Sequence, residues 1–266
     1  MPSSLTAYYD KLVLQHPGLA LLGVALLLAF LGYHSSDFRL DASADSLVLE
    51  NDQALRYYRE ARARYGSDDF LIVTYTPFGK LFDPTTLADL RKLQDELAAL
   101  ERVESVVSLL DVPLINSPPL TLAELGRGSH TYDSPGTDKA LAQQEFVNSP
   151  LYRDLLISPD KSTTAVQVNL VRDKTYYKLL NERERLRDQR RQGELTQQEA
   201  DRLAGVSRRF EARSELLQQQ QHNDIAAVRR IMDGHRTHAT LYLGGVPMIA
   251  ADSIDFIRHD LRVFGI

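Results

Sequence analysis

The chain has 266 residues, 43% of them hydrophobic and 25% charged, and its formal net charge is −5. This balance is typical of a folded chain rather than a disordered one, and the net acidity argues against nucleic-acid binding, which needs a basic surface. The sequence has no cysteine, which excludes disulfides, thiolate nucleophiles and every cysteine-ligated metal centre.

The most apolar segment, Gly18–Gly32, carries no charged or polar side chain. With Leu12–Leu14 and Tyr33 it approaches the roughly 20 residues that a helix needs to cross a bilayer. A cleaved signal peptide is the alternative, but the small-residue site Ala42–Ala44 lies far beyond the apolar run. A buried helix is a third interpretation, although nothing else in the chain is apolar enough to surround it. We predict a retained transmembrane helix within residues 1–34, in an orientation that the lysine and arginine counts leave open.

The rest of the chain alternates strand and helix patterns. Runs rich in β-branched and aromatic residues predict strands, and apolar residues three and four apart predict helices. A proline- and serine-rich stretch, 113–136, predicts a long loop. The predicted strands are 70–76, 103–110, 151–157, 163–171 and 239–243, with the third and fourth paired as a hairpin; the predicted helices are 54–65, one starting at Asp83-Pro84, 138–146, 175–192, 197–232, and one after Pro247.

Residues 173–236 contain no proline and are rich in Glu, Arg, Gln and Leu. Gly193 divides this stretch, and Thr196 with Glu199 three residues later forms a capping box that starts a second helix. Apolar residues then occupy heptad-type positions of a coiled-coil kind, interrupted by two polar ones. The apolar positions are Leu203, Val206, Phe210 and Leu217, and the interruptions are Arg213 and Gln220. We predict an antiparallel helical hairpin over about 174–236.

The predicted order β-α-β, β, helical element, β matches the ferredoxin-like split β-α-β pattern, with the hairpin in place of the second helix. The fold class expected is therefore α+β: one transmembrane helix followed by this domain.

A search for catalytic chemistry finds no nucleotide-binding, serine-hydrolase or zinc-hydrolase motif. His235 and His238 are three residues apart, but the predicted helix ends near Gly234, which favours an exposed helix terminus over a metal site. Asp68-Asp69 and the pair Asp41 and Asp45 are interpreted as solvated loop charge. We predict no catalytic, cofactor-binding or metal-binding residues and no enzyme activity.

Three other features have a plain structural interpretation. The run Glu182–Arg191 alternates acid and base, as in a solvated helix with i,i+4 ion pairs. Three isolated histidines, His16, His222 and His259, are interpreted as structural or interfacial. The stretches 151–156 and 113–120 offer apolar surface for a hydrophobic ligand, although loops packed over a sheet are the favoured interpretation.

Several motifs, taken in order, resemble one family. His16-Pro17 leads into the apolar segment, and Phe38–Leu47 (FRLDASADSL) follows it. Asp52, Tyr57-Tyr58, Arg64–Phe70 (RYGSDDF) and Gly244–Asp252 (GGVPMIAAD) complete the series. Together they resemble the N-terminal region of resistance-nodulation-division (RND) superfamily exporters, in the branch of the mycobacterial-membrane-protein-large (MMPL) and hopanoid exporters.

This resemblance implies the N-terminal portion of a proton-driven exporter of lipids or other hydrophobic molecules, in a bacterial inner membrane with its soluble domain in the periplasm. It implies three parts: residues 1–34 with transmembrane helix 1, a porter-type domain over 35–246, and a helix over 247–266 that approaches a second span. The family's proton-relay carboxylates lie in later helices, and Gly18–Gly32 contains none. The chain alone is therefore not expected to transport.

The partners implied are a hydrophobic or lipid substrate and the lipid bilayer, with self-association and envelope partner proteins left open and no nucleic acid. A membrane-anchored periplasmic adaptor or scaffold with a helical hairpin is the alternative. Adaptors need β domains on both sides of the hairpin, whereas only residues 237–266 follow the second arm here.

Overall fold

The structure is a computed structural model that describes residues 17–34, 70–117 and 130–264. Contacts divide the chain into two units, residues 1–42 and 43–266. Within the described residues there are six helices and a four-stranded antiparallel sheet. The predicted helix 54–65 lies outside the described residues, as do most of the motifs that resemble the exporter family.

Helix α1 (Pro17–His34) belongs to the first unit. It starts with proline, whose fixed φ suits the first helical position, and each of its large apolar side chains is at least 55% exposed. Among the described residues, no helix has both the length and the apolarity needed to cross a membrane. The predicted transmembrane helix is thus not found there; Leu12–Leu14, which we included in it, lie outside the described residues.

The second unit has a mixed α+β architecture. Its strands are β1 (Phe70–Pro77), β2 (Val103–Val107), β3 (Thr164–Leu170) and β4 (Ala239–Gly244); its helices are α2 (Pro84–Ala98), α3 (Lys139–Asn148), α4 (Lys174–Gln192), α5 (Gln197–His235) and α6 (Val246–Phe264). The strand order is β2-β3-β1-β4 and every neighbouring pair is antiparallel. This is the order of the split β-α-β arrangement predicted from the sequence.

One face of the sheet carries the main hydrophobic core. Alternate residues of β1 (Leu71, Val73 and Tyr75) are fully buried, because successive side chains of a strand point to opposite faces. Three leucines of α2 spaced three and four apart pack there, as does the C-terminal part of α5. These helix residues are Leu90, Leu93, Leu97, Ile225, Val228 and Met232.

The helical hairpin has a core of its own. Helix α4 ends at Gly193, which takes φ 75°, and Thr196 with Glu199 forms the predicted capping box at the start of α5. Seven buried residues fill the space between the two arms: Tyr176, Leu179, Leu180, Leu186, Leu203, Val206 and Phe210. The predicted hairpin is therefore confirmed, with its second arm running three residues further than expected, to His235.

The turn from β4 into α6 depends on one glycine. Gly245 has φ 123°, and a Cβ added there would lie 2.7 Å from the carbonyl oxygen of Phe70. Only glycine fits such a close approach of two backbones. Helix α6 then buries Ile254, while Ile257 and Leu261, predicted on the same face, are 37% and 51% exposed.

Two strand predictions need correction. Residues 151–157 form a series of turns with isolated bridges rather than a strand, so the predicted hairpin with β3 is wrong. Strand β2 ends at Val107 rather than at 110, because Ser108 and Asp111 form a turn in which the Asp111 carboxylate accepts from the backbone N–H of Ser108 at 3.1 Å.

Candidate functional site

The second face of the sheet, which we call the open face, carries mixed polar and apolar side chains. The antiparallel register places Thr76 beside Thr240, Thr74 between Tyr242 and Ala165, and Ile72 beside Gln167. These side chains are partly exposed, and Tyr242 is 68% exposed. A two-layer domain that buries one sheet face leaves the other for a ligand or a partner.

A shallow groove of about 260 Å³ lies at one end of the open face, where the chain enters β3. We call it the Leu155 groove. Its wall is the loop that precedes β3, and its floor is formed by residues of β1 and β3. The lining residues are Thr74, Asp154, Leu155, Leu156, Ile157, Ser158, Pro159, Thr163, Thr164 and Ala165.

The loop beside the groove is braced by its own backbone. The carbonyl oxygen of Tyr152 accepts from the N–H of Leu156 at 2.8 Å, and the N–H of Ala165 donates to the carbonyl of Leu156 at 2.9 Å. Asp154 takes φ 63°, in the left-handed region that non-glycine residues seldom adopt. As a result Ile157 is buried, whereas Leu155 is held 73% exposed at the mouth of the groove.

A second turn closes the far side of the loop. The Asp160 carboxylate accepts from the hydroxyls of Ser158 at 2.5 Å and Ser162 at 2.8 Å. These hydrogen bonds, that from Ser158 first, lower the pKa of Asp160 below its usual value. These hydrogen bonds hold the turn closed. The charge of Asp160 is satisfied by the hydroxyls of Ser158 and Ser162 in the same turn.

The groove suits a neutral and largely apolar ligand. Asp154 is its one charged lining residue, and Leu155, Leu156 and Ala165 provide apolar surface. Hydroxyls of threonine and serine can donate or accept single hydrogen bonds along its edge. Its volume is below that of a site enclosing a whole drug-sized ligand, roughly 300–1,000 Å³, so it fits a segment of a larger molecule.

A polar network lies on the opposite, buried side of the sheet. His235, at the end of α5, is 3% exposed; its Nδ1 lies 2.8 Å from Asp89 Oδ1 and its Nε2 lies 3.2 Å from Glu96 Oε2. The hydroxyl of Tyr75 donates to Asp89 Oδ2 at 2.7 Å. Burial and, next, this hydrogen bond raise the pKa of Tyr75, so it stays a donor. We call Tyr75, Asp89, Glu96 and His235 the His235 network.

Two ion pairs hold the base of the hairpin. The Arg213 guanidinium donates to Asp173 at 2.8 Å, and Asp173, whose side chain is 4% exposed, also caps α4 through the N–H of Tyr176. Arg102, just before β2, donates to Asp224 at 2.8 Å. A cleft of about 190 Å³ lies beside Arg102 and Asp224, but its lining contains no pair of groups suited to a reaction.

The structure revises one predicted environment and supports another. His235 is buried in a network rather than exposed at a helix terminus, whereas the side chain of His238 is 62% exposed, with its Nδ1 3.5 Å from Asp89. In the run Glu182–Arg191 the acids and bases do pair, with Arg187 lying 3.5 Å from Glu184 at i,i+3 rather than the predicted i,i+4. Asp41, Asp45 and Asp68-Asp69 lie outside the described residues.

Two more histidines and the apolar stretches can also be placed. His222 lies 3.4 Å from Asp255 of α6 and His259 is exposed, while His16 is outside the described residues. Of the predicted apolar stretch 151–156, residues 154–156 line the Leu155 groove. Of the stretch 113–120, the described part packs inward, with Leu114 fully buried and the backbone N–H groups of Ile115 and Asn116 bound by Glu145 at 2.7 and 3.0 Å.

Sequence reasoning missed the partners of His235. Asp89 and Glu96 are seven residues apart on one helix, which places them two turns apart on the same face; that spacing was the available signal. Among the described residues, no group of three or more acidic or histidine side chains is arranged to hold a metal ion.

Comparison with known protein families and with curated proteins finds no match. No model of a known protein family matches the chain, and no curated protein is significantly similar to it. The function must therefore be argued from the residues and the geometry.

Proposed function

We propose that the chain is the N-terminal portion of an RND-type exporter of lipids or other hydrophobic molecules. In this proposal the α+β domain is a porter-type domain that lies in the bacterial periplasm and handles the substrate, and residues 1–34 anchor it in the inner membrane. The observation that carries the proposal is the Leu155 groove. It is a partly apolar groove with Asp154 as its one charged lining residue, on the sheet face opposite the main core.

The geometry of the groove supports reversible contact with one segment of a lipid rather than enclosure of the whole molecule. The groove is open to solvent along the sheet, and Leu155 projects from a braced loop rather than from a mobile tip. A ligand that enters the groove is stabilised by about 25 cal/mol for each Å² of apolar surface that is removed from water. Partial burial of one segment gives a weak, reversible contact, which a transport pathway needs.

The exposure of the apolar side chains of α1 supports the proposal that residues 1–34 anchor the chain in a membrane. Helix α1 exposes large apolar side chains around its whole circumference, which is unfavourable in water because the hydrophobic effect scales with exposed apolar area. A lipid environment removes this cost. The anchor of this proposal is longer than α1 and includes Leu12–Leu14.

Photolabelling tests the groove directly. The full chain in lipid nanodiscs would be irradiated with a photoreactive long-chain alcohol, which is neutral and carries one hydroxyl. We expect labelled peptides to map to residues 151–165 and to the part of β1 around Thr74. Leu155→Ser should reduce the labelling severalfold, because it removes the exposed apolar side chain at the mouth of the groove.

The matched control is Leu216→Ser, which removes an exposed leucine on the hairpin, 41% exposed, and should leave the labelling unchanged. Labelling spread evenly over the domain, or equal loss in both variants, would contradict substrate handling at the groove. Sequencing the gene beyond the codon for Ile266 tests the exporter assignment separately: a transporter requires further apolar segments there, and an early stop codon with none would contradict it.

A membrane-anchored periplasmic adaptor or scaffold is the second candidate, and the hairpin with its own core favours it. In that function the hairpin, not the open face, makes the contacts. The same photolabelling then gives no specific site on the sheet, and charge-reversing substitutions on the exposed hairpin arms, such as Arg209→Glu, disturb assembly instead.

A further inference from the structure

The Leu155 groove presents hydrogen-bond acceptors to a ligand and hardly any free donors. Among the described residues, its lining contains no lysine, arginine, histidine, asparagine, glutamine, tyrosine or tryptophan, which are the side chains that present N–H or phenolic donors. The donors that remain in the lining are backbone N–H groups and the hydroxyls of serine and threonine. The partners of these groups within the protein decide what a ligand can find in the groove.

The backbone N–H groups of the lining loop donate within the protein. Those of residues 155–157 donate to the carbonyl of Tyr152 at 2.8–3.3 Å, and that of Asp154 donates to the carbonyl of Ile157 at 3.0 Å. The other N–H groups of the lining are engaged in backbone, hydroxyl or sheet-ladder contacts: those of Thr74, Ser158, Thr163, Thr164 and Ala165. The loop therefore offers no spare backbone donor to a ligand.

The hydroxyls of the lining also have partners within the protein. The pairs are Ser158 with Asp160 at 2.5 Å, Thr164 with the carbonyl of Leu156 at 2.9 Å, Thr163 with the hydroxyl of Thr76 at 2.8 Å, and Thr74 with the carbonyl of Tyr242 at 3.5 Å. A hydroxyl has one proton to donate and two lone pairs that accept. These groups therefore meet a ligand mainly as acceptors.

Asp154 adds an acceptor that carries a full negative charge. Its side chain is 62% exposed and lies in the lining next to Leu155. It is paired with Arg153, whose Nε lies 3.4 Å from Asp154 Oδ2 but which is not part of the lining. An exposed ion pair of this kind contributes little, and a carboxylate has about four lone-pair sites. Asp154 can therefore accept from a ligand while it keeps its contact with Arg153.

We propose that the Leu155 groove selects amphiphiles by their polar end: it binds those whose head group donates hydrogen bonds, a hydroxyl or a primary ammonium, and disfavours those whose head group only accepts, such as an ether or a sulfonate. This inference rests on the proposed function, because it concerns the same groove. A donating head group forms a charge-assisted hydrogen bond with Asp154. A head group that only accepts gives up water and finds no free donor in the described lining, which costs free energy. An anionic head group is also repelled by the charge of Asp154.

The backbone at Asp154 makes this selectivity testable by a single substitution. Asp154 takes φ 63°, a left-handed conformation that aspartate and asparagine adopt more readily than most residues. Asparagine can therefore replace it with the same backbone. The carboxamide is neutral and carries two N–H donors beside its oxygen, so Asp154→Asn adds donors to a lining that has hardly any free ones.

The test compares three photoreactive amphiphiles with the same alkyl chain on the full chain in nanodiscs: a long-chain alcohol, its methyl ether and the primary amine. The alcohol and the ether are both neutral, but only the alcohol donates. Label on residues 151–165 is measured as a fraction of the label on the whole chain, which corrects for unequal partition into the bilayer. In the wild-type chain we expect this fraction to be severalfold higher for the alcohol than for the ether, and highest for the amine.

Asp154→Asn should remove most of this selectivity. The amine should lose its advantage over the alcohol because the negative charge is gone, and labelling by the ether should rise because the carboxamide donates to it. Arg153→Gln is the matched control, since it changes an exposed neighbour outside the lining. It should keep the wild-type order of the three probes.

Two results would overturn this inference alone and leave the groove as a site of substrate handling. One is equal labelling of residues 151–165 by the alcohol and the ether in the wild-type chain. The other is an unchanged order of the three probes in Asp154→Asn. Failure of all three probes to label the groove above the rest of the domain would instead contradict the proposed function, and this inference with it.

Discussion

The sheet core and the hairpin core are built by different kinds of contact. In the sheet core, residues far apart in sequence meet: β1 pairs with β3 and β4, which follow it by roughly ninety and one hundred and seventy positions. In the hairpin core, the two arms are joined by a four-residue connection, and the contacting residues are closer in sequence, as Tyr176 and Phe210 show. One helix, α5, therefore contributes residues to two cores, and the contacts in these cores differ in how far apart in sequence the contacting residues are.

Between the two cores α5 has no buried residue from 211 to 224. This stretch is instead held by polar contacts, Arg213 with Asp173 and Arg102 with Asp224 and Gln220. We therefore expect the hairpin to unfold locally without unfolding the sheet, as a separate cooperative unit. The predictions that follow test this separation, in decreasing order of effect.

The largest effect should come from a cavity in either core. Leu241→Ala in β4 and Leu186→Ala in α4 each remove a fully buried leucine, at a cost of about 2–5 kcal/mol. Leu241→Ala should lower the stability of the whole domain, whereas Leu186→Ala should raise hydrogen exchange only in residues 174–217. Hydrogen exchange with mass spectrometry measures both. Equal exchange of sheet and hairpin in Leu186→Ala would show that the two cores are one unit.

A proline in the joining stretch should separate the two cores. Gln219 is exposed in the middle of α5, so Gln219→Pro acts through the backbone alone, by removing one helical hydrogen bond and adding a clash that costs about 3 kcal/mol or more. We expect loss of protection around 211–224 with both cores retained. Gln197→Pro, at the first position of α5, is the control and should be tolerated. Global unfolding by Gln219→Pro would show that the hairpin is required for the sheet.

The polar base of the hairpin should contribute less. Asp173→Ala removes the N-terminal cap of α4 and the acceptor of Arg213. Loss of a cap costs about 0.5–2 kcal/mol, and the unpaired Arg213 turns to solvent because it is already 35% exposed. Asp188→Ala, an exposed residue in the same helix, is the comparison and should change little. Thermal unfolding of the hairpin segment, followed by exchange, measures the difference.

The smallest effect should be a pH dependence at the hairpin tip. Hydrogen bonds from Thr196, through its backbone N–H first and its hydroxyl next, hold the pKa of Glu199 below its usual value. A carboxyl whose pKa is lowered by folding stabilises above its unfolded pKa, and the effect is lost as the pH falls through the folded value. Protection of the first turn of α5 should therefore decline in acid, and Glu199→Gln, which removes the titrating carboxyl, should remove this decline. An identical acid response in both chains would contradict the role of the capping box.

These two regions also differ in how far the sequence predicts them. The hairpin is predicted to within a few residues because its signals are local: Gly193, the Thr196–Glu199 box and the heptad-type apolar positions. The strand order also follows from the order of elements. The prediction of a strand at residues 151–157 is wrong, although their apolar composition suits a strand. In the structure Asp154 takes a left-handed conformation, and the carbonyl of Tyr152 accepts the hydrogen bonds that form the turns.

The candidate sites are less predictable. The Leu155 groove forms between a loop and the two central strands, and no local pattern shows which strand face stays open. Asp89 and Glu96 have a spacing that places them on one helix face, but only the fold brings His235 between them. Tyr75 looks like any inward-facing strand residue until its hydroxyl is placed beside Asp89.

The most direct test of the functional account is hydrogen exchange of the full chain in nanodiscs, with and without a neutral long-chain alcohol. The account predicts slower exchange in residues 151–165, which form the wall of the groove, and around Thr74 on its floor, with no change in the hairpin residues 174–217. Protection confined to the hairpin, or no protection in either region at saturating alcohol, would contradict it.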